Sequence, residues 1–75
     1  MNKKRLSDVK EVLTYLNEAK INLNNCLGKE SDCFDNMPEN LQCSRNGDRS
    51  SDAIDNMEEA LEKLDEAIEL LNDIY

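Results

Sequence analysis

The chain has 75 residues, a formal net charge of −8 and 39% hydrophobic residues. A chain of this length forms one small domain, whose single core rarely supplies more than roughly 3–5 kcal/mol without staples or self-association. The acidic balance disfavours direct nucleic-acid binding by the whole molecule, because counterion release requires clustered cations.

The N-terminal segment, Met1-Asn2-Lys3-Lys4-Arg5, leads directly into an amphipathic pattern and contains no apolar signal segment. No run of about 18 apolar residues occurs, so no membrane-spanning helix and no membrane partner are predicted. We therefore expect a cytoplasmic protein with reduced thiols.

The first predicted helix covers about residues 6–37, with Ser7 and Asp8 as candidate N-terminal caps. Its apolar stripe is interrupted only by Lys20 and Glu30. Gly28 leaves open a break followed by a new cap, but the unchanged phase of the stripe favours a continuous helix. The stripe consists of Leu6, Val9, Leu13, Leu16, Lys20, Leu23, Leu27, Glu30, Phe34 and Met37. A second row, spaced by seven residues, consists of Val12, Ala19, Cys26 and Cys33.

Residues 38–50 are predicted to form an ordered loop, because Pro38 disfavours helix at the preceding residue and Asn46-Gly47 is a turn signal. Ser44, Asp48 or Ser50 could each cap the last helix, so its start is left open over several residues. A loop of this length is either a lid over the end of the bundle or a ligand site.

The last predicted helix covers about residues 51–75 and carries the whole formal charge of the molecule. This segment holds nine acidic residues and one lysine, a net charge of −8, whereas residues 1–29 hold six bases and three acids, a net charge of +3. Its apolar stripe consists of Ile54, Met57, Leu61, Leu64, Ile68, Leu71 and Tyr75. The flanking row, again spaced by seven residues, consists of Ala53, Ala60, Ala67 and Ile74.

The fold class predicted from this pattern is all-α: one domain, residues 1–75, forming an antiparallel helical hairpin. One hairpin cannot cover two stripes that each have a flanking row of small residues. We therefore expect a homodimeric four-helix bundle, with both flanking rows as the oligomer interface. The alternative is a monomeric hairpin whose core is completed by another protein.

Catalytic and metal chemistry have little support in this composition. The chain has no histidine, and its three cysteines include no C-x₂-C pair, so no common zinc site is matched. Cys26 and Cys33 are interpreted as packing residues. No enzyme activity, metal or cofactor is expected.

Three binding functions are left open. In the first, a protein partner engages the acidic helix face, which imitates the charge of nucleic acid; the candidate residues are Asp55, Glu58, Glu62, Asp65, Glu66 and Glu69. In the second, a small anionic or nucleotide ligand binds at the loop through Arg45, Asn46, Gly47 and Arg49. In the third, the protein is a structural adaptor. The alternative to the first function is that the acidic residues are only a solvated surface. The alternative to the second is that the two arginines form ion pairs with Glu39, Asp48 or Asp52.

A resemblance covers about residues 33–75. The segments Asp35-Asn36-Met37-Pro38-Glu39-Asn40-Leu41-Gln42, Ser44-Arg45-Asn46-Gly47 and Asp52-Ala53-Ile54-Asp55-Asn56-Met57-Glu58-Glu59-Ala60-Leu61 carry it. They resemble small acidic helical proteins encoded by phages and prophages of low-GC Gram-positive bacteria. The resemblance implies a mobile-element origin, with the host-cell cytoplasm as the location if the chain is phage-encoded. By analogy, it implies an accessory protein that inhibits or sequesters a host component such as a defence protein.

Overall fold

The computed structural model describes residues 2–74, and three helices account for nearly all of them. In chain order these are α1 (Lys3–Asp35), α2 (Glu39–Gln42) and α3 (Arg45–Asn72). The longest dimension of the chain is 58 Å, little more than the ~50 Å expected of α1 alone. The chain therefore folds back on itself, and the predicted all-α class is confirmed. No helix within residues 2–74 combines the length and the apolar character needed to cross a membrane.

Helix α1 begins earlier than predicted, and it is continuous. Asn2 is its N-cap, because the Asn2 side-chain oxygen accepts a hydrogen bond from the Arg5 N–H at 2.8 Å. Ser7 and Asp8, the predicted caps, lie inside the helix. Gly28 is helical and exposed, so the expected continuity of the helix through this glycine is confirmed.

The reversal of the chain is built around α2. Helix α1 ends at Asp35, two residues before the predicted end, and Pro38 precedes α2 with φ −58° and ψ 149°. The Gln42 side-chain amide donates a hydrogen bond to the Phe34 carbonyl oxygen at 3.0 Å. The same carbonyl also accepts from the Met37 N–H at 3.1 Å, and the bond from Gln42 ties α2 to the end of α1.

Helix α3 begins at Arg45, six residues earlier than predicted, so the connection from α1 is residues 36–44 and not 38–50. Of the three candidate caps, Ser44 is the N-cap: its hydroxyl oxygen accepts from the Gly47 N–H at 3.3 Å. The predicted turn at Asn46-Gly47 is wrong, because both residues lie in the first turn of α3. Gly47 has no positive φ; a Cβ there would lie 2.2 Å from the Gln42 carbonyl oxygen. Glycine is needed because α2 approaches the helix closely.

The two apolar stripes face each other across α1 and α3. Every described residue of both predicted stripes is buried or half-buried, including Lys20 and Glu30, while Tyr75 lies outside the described residues. However, Leu13, 7% exposed, is the only buried apolar side chain within residues 2–74. The radius of gyration is 17.1 Å, against about 11 Å for a compact domain of this length. The single chain is thus one layer of two helices without a closed core.

Candidate functional site

The acidic face of α3 is a long exposed surface on a single straight element. We use this name for the carboxylates that the sequence predicted as a protein-binding site, all of which are exposed: Asp55, Glu58, Glu62, Asp65, Glu66 and Glu69. They occur at helical steps of three and four residues beside the apolar stripe, and only Asp65 contacts α1. The apolar stripe of α3 packs on α1, so the helix backbone that carries the carboxylates is held in place.

Two of these six carboxylates are partly neutralised. The Asp65 carboxylate lies 2.5 Å from the Lys20 ammonium of α1, and the Glu66 carboxylate lies 3.8 Å from the Lys63 ammonium of its own helix. Both pairs are substantially exposed, so each contributes at most about 1 kcal/mol. The other four carboxylates form no ion pair within residues 2–74.

The charge on α3 has a regular spacing. The six carboxylates of the acidic face lie between Asp55 and Glu69, a span of about 21 Å at ~1.5 Å per residue. That is about one carboxylate per 3.5 Å of helix, close to the one phosphate per ~3.4 Å along a nucleic-acid strand. The face therefore presents a linear charge density that a basic groove would recognise.

Two polar contacts join α1 to α3 and fix how the helices are aligned. The first is the Lys20–Asp65 ion pair described above. In the second, the Ser50 hydroxyl donates to the Glu30 carboxylate at 2.6 Å, with Ser50 only 5% exposed. Lys20 and Glu30 are recognisable from the sequence as polar intrusions in the stripe, but their partners Asp65 and Ser50 are not. Gly47 and Ser50 continue the three- and four-residue steps of the α3 stripe backward from Ile54. This spacing is the sequence signal that both residues face α1.

The residues predicted to bind an anion are not assembled as expected. Arg45 and Arg49 lie one helical turn apart and are exposed, and neither forms an ion pair within the described part of the chain. Gly47, in contrast, is buried against α2, and its N–H already donates to Ser44. Asn46 is exposed beside Arg45. The turn therefore offers two guanidinium groups without the Gly47 amide that the predicted site required.

The predicted oligomer interface is largely uncovered in the single chain. On α1, Val12, Ala19, Cys26 and Cys33 are all exposed. On α3, Ala60 is exposed and Ala53 and Ala67 are half-buried, and Ile74, just after the end of α3, is exposed. Cys43, in the connection before α3, is exposed as well. The hairpin leaves these small apolar side chains available to a further layer of helices.

The remaining surface offers little for chemistry. Within residues 2–74, no group of three or more His, Cys, Asp or Glu side chains is placed to hold a metal ion. A shallow depression near the end of α3 is lined by Glu66, Glu69, Leu70 and Asp73. All four belong to one helix, so the depression is a groove on the surface and not an interior cavity.

Comparisons with known proteins add no relative: no family model, curated protein or solved structure matches this chain.

Proposed function

We propose that this protein is a non-catalytic binding module, a dimeric four-helix bundle whose acidic α3 faces occupy a basic groove on a protein partner. The charge spacing carries the proposal: about one carboxylate per 3.5 Å imitates a nucleic-acid strand. A partner that normally holds DNA or RNA would meet a similar row of negative charge on a rigid helix. Its resemblance to phage and prophage proteins supports a host component, such as a defence protein, as the target that is inhibited or sequestered.

The exposure of the acidic face supports binding in preference to a purely structural role. A charged face that stabilised the hairpin itself would be engaged with α1, yet only Asp65 makes that contact. The unpaired carboxylates remain hydrated and available to Lys and Arg side chains of a partner. Such contacts steer association and are weakened by salt.

The test uses paired charge-reversal variants with equal net charge. Glu62→Lys with Glu69→Lys alters the acidic face, whereas Glu18→Lys with Asp32→Lys makes the same change in charge on the outside of α1. All four side chains are exposed, so both variants should fold. A host protein captured from lysate by the unaltered chain should be retained by the α1 variant and lost by the α3 variant.

Salt and competing DNA complete the experiment. Capture should weaken as salt rises, and double-stranded DNA or RNA should displace the captured protein, because both occupy the same groove. Equal capture by both variants would contradict the proposal, as would a complex indifferent to nucleic acid. If nucleotides instead raise the melting temperature and the double change Arg45→Ala, Arg49→Ala removes the effect, the anion site is correct. If neither the charge reversals nor the arginine substitutions alter binding and the bundle stays intact, the structural adaptor is favoured.

A further inference from the structure

The single chain exposes more surface than a compact monomer of its mass. Its accessible area is 5716 Å² for 8.6 kDa, whereas the scaling for folded monomers gives about 4,700 Å². The excess is about 1,000 Å² per chain. A standard protein–protein interface takes about 800 Å² from each partner, so this excess is the area that a stable dimer needs.

The exposed apolar side chains are concentrated on one side of the hairpin. In an antiparallel helix pair, the positions directly before the core positions of the two helices lie on the same side of the interface. The Lys20–Asp65 and Ser50–Glu30 contacts set an alignment in which Val12 is about level with Ile74. The two rows of small residues therefore form one continuous surface, not two.

Two further exposed residues extend this surface. Tyr15, 61% exposed, lies one turn from Val12 and Ala19, and Leu70, 68% exposed, lies one turn from Ala67 and Ile74. With them, four of the six large exposed apolar side chains within residues 2–74 lie on this side. We call it the association face: Val12, Tyr15, Ala19, Cys26 and Cys33 of α1, with Ala53, Ala60, Ala67 and Leu70 of α3 and Ile74 just after it.

The charge pattern determines which occupant this face can accept. A second copy brings another net charge of −8, and like charges placed opposite each other across an interface cost several kcal/mol. The helical columns that form the association face contain no acid between residues 12 and 74; their other members are Asn22, Lys29, Asn46, Arg49, Asn56 and Lys63. The carboxylates nearest to this face lie at its margin: Glu11 accepts from the Tyr15 hydroxyl, and Glu66, Glu69 and Asp73 line a depression with Leu70. Two copies that meet on the rows of alanine and cysteine therefore oppose fewer carboxylates than any pairing through the acidic face.

We infer that a second copy of this chain docks on the association face through a two-fold axis. The alanines and cysteines let the helices approach to about 8–10 Å, and Tyr15 and Leu70 close the margin of the interface. This inference deepens the proposed function by naming the surface that forms the dimer, and the acidic faces of both copies remain on the outside. Another protein's helix on the same face is the competing outcome.

Reactivity of the cysteines tests the face itself. All three thiols are exposed in the single chain, but Cys26 and Cys33 lie on the association face and Cys43 does not. At a concentration where the dimer forms, a maleimide reagent should modify Cys26 and Cys33 at least tenfold more slowly than Cys43, and dilution should remove the difference. Equal rates in a protein with the mass of two chains would overturn the inference, because the dimer would then use another surface.

A matched pair of charge insertions gives the second readout. Ala19→Glu places a carboxylate on the association face, and Asn25→Glu adds the same charge on the outside of α1. Both positions are exposed, so neither change disturbs packing within the chain. Light scattering should give the mass of two chains both for the unaltered protein and for the Asn25→Glu variant. Ala19→Glu should raise the dimer dissociation constant on the order of a hundredfold.

Two results of this comparison would overturn the inference. An unaltered protein that remains at 8.6 kDa at all concentrations excludes a second copy and leaves the face to a foreign helix. A dimer that tolerates Ala19→Glu excludes this face. The first result would also remove the dimer from the proposed function. Binding by the acidic face is tested separately, by capture of a partner and not by mass.

Discussion

The two glycines of this chain both lie in helices, yet substitution by alanine should have opposite effects on stability. At Gly28 no atom lies within 4 Å of the position that a Cβ would occupy, so alanine adds helix propensity and should stabilise by about 1 kcal/mol. At Gly47 the added Cβ would lie 2.2 Å from the Gln42 carbonyl oxygen and 2.5 Å from that of Leu41. The obstruction is backbone and has no rotamer that relieves it.

The size of the Gly47 effect follows from that geometry. Helix α2 must move by about 1 Å to restore van der Waals contact, and overpacking of this kind costs about 1–3 kcal/mol. We take the upper end because backbone atoms must shift; the propensity gain of about 1 kcal/mol then leaves a net loss of about 2 kcal/mol. The Gly47→Ala protein should therefore be less stable than the Gly28→Ala protein by about 3 kcal/mol.

Thermal unfolding followed by far-ultraviolet circular dichroism measures both variants at one fixed chain concentration. For a domain of this size, 1 kcal/mol corresponds to about 4–8 °C. The melting temperature should rise by about that amount for Gly28→Ala and fall by about twice that amount for Gly47→Ala. A neutral or stabilising Gly47→Ala would refute the close approach of α2, and a destabilising Gly28→Ala would refute the continuity of α1.

Four further substitutions probe the contacts between and within the helices. Ser50→Ala should cost about 1–2 kcal/mol in chemical denaturation, because it removes the donor that the half-buried Glu30 carboxylate uses; an unchanged midpoint would mean that water replaces it. Ser44→Ala should cost about 1 kcal/mol through loss of the N-cap, and a cost near zero would move the start of α3 away from this residue. Lys20→Leu should leave stability unchanged or raise it by about 1 kcal/mol, because leucine adds apolar burial to the stripe and the exposed Asp65 carboxylate remains hydrated without its partner. Asp65→Asn should cost under about 1 kcal/mol and less at high salt; larger losses for either change would show that the pair contributes more than its exposure suggests.

Much of the fold was predictable because a helix repeats its surface with a fixed period. The stripes were assigned correctly at every described position, including Lys20 and Glu30, whose polarity did not disturb the phase. Continuity through Gly28 followed from the same argument. All apolar residues of a helix together determine where its stripe lies, so a single unfavourable residue does not shift the stripe.

The hairpin corner was predicted less well, because its residues are not apolar. Gly47 and Ser50 occupy stripe positions, but they pack through a missing side chain and a hydroxyl group, which a search for apolar periodicity does not detect. Asn46-Gly47 reads as a turn from local preference alone. The reason for the glycine, the approach of the α2 backbone, depends on tertiary structure and could not be read from neighbouring residues.

The candidate binding site was predictable as a surface and not as an interaction. Helical period alone placed the α3 carboxylates outward, and the structure added that Asp65 and Glu66 are paired while the other four predicted residues are not. The association face needed the alignment of the two helices, because two rows spaced by seven residues become one surface only when their relative position is known. That alignment depends on long-range polar contacts.

The central claim is that one hairpin is an incomplete core and that a second chain completes it. The concentration dependence of unfolding of the unaltered protein tests this most directly, because the folded state of an obligate dimer gains stability by mass action. Over a hundredfold range of concentration, the free energy of unfolding should rise by about 2.7 kcal/mol per dimer, and the melting temperature should rise with it. A melting temperature that is constant across this range would contradict the account.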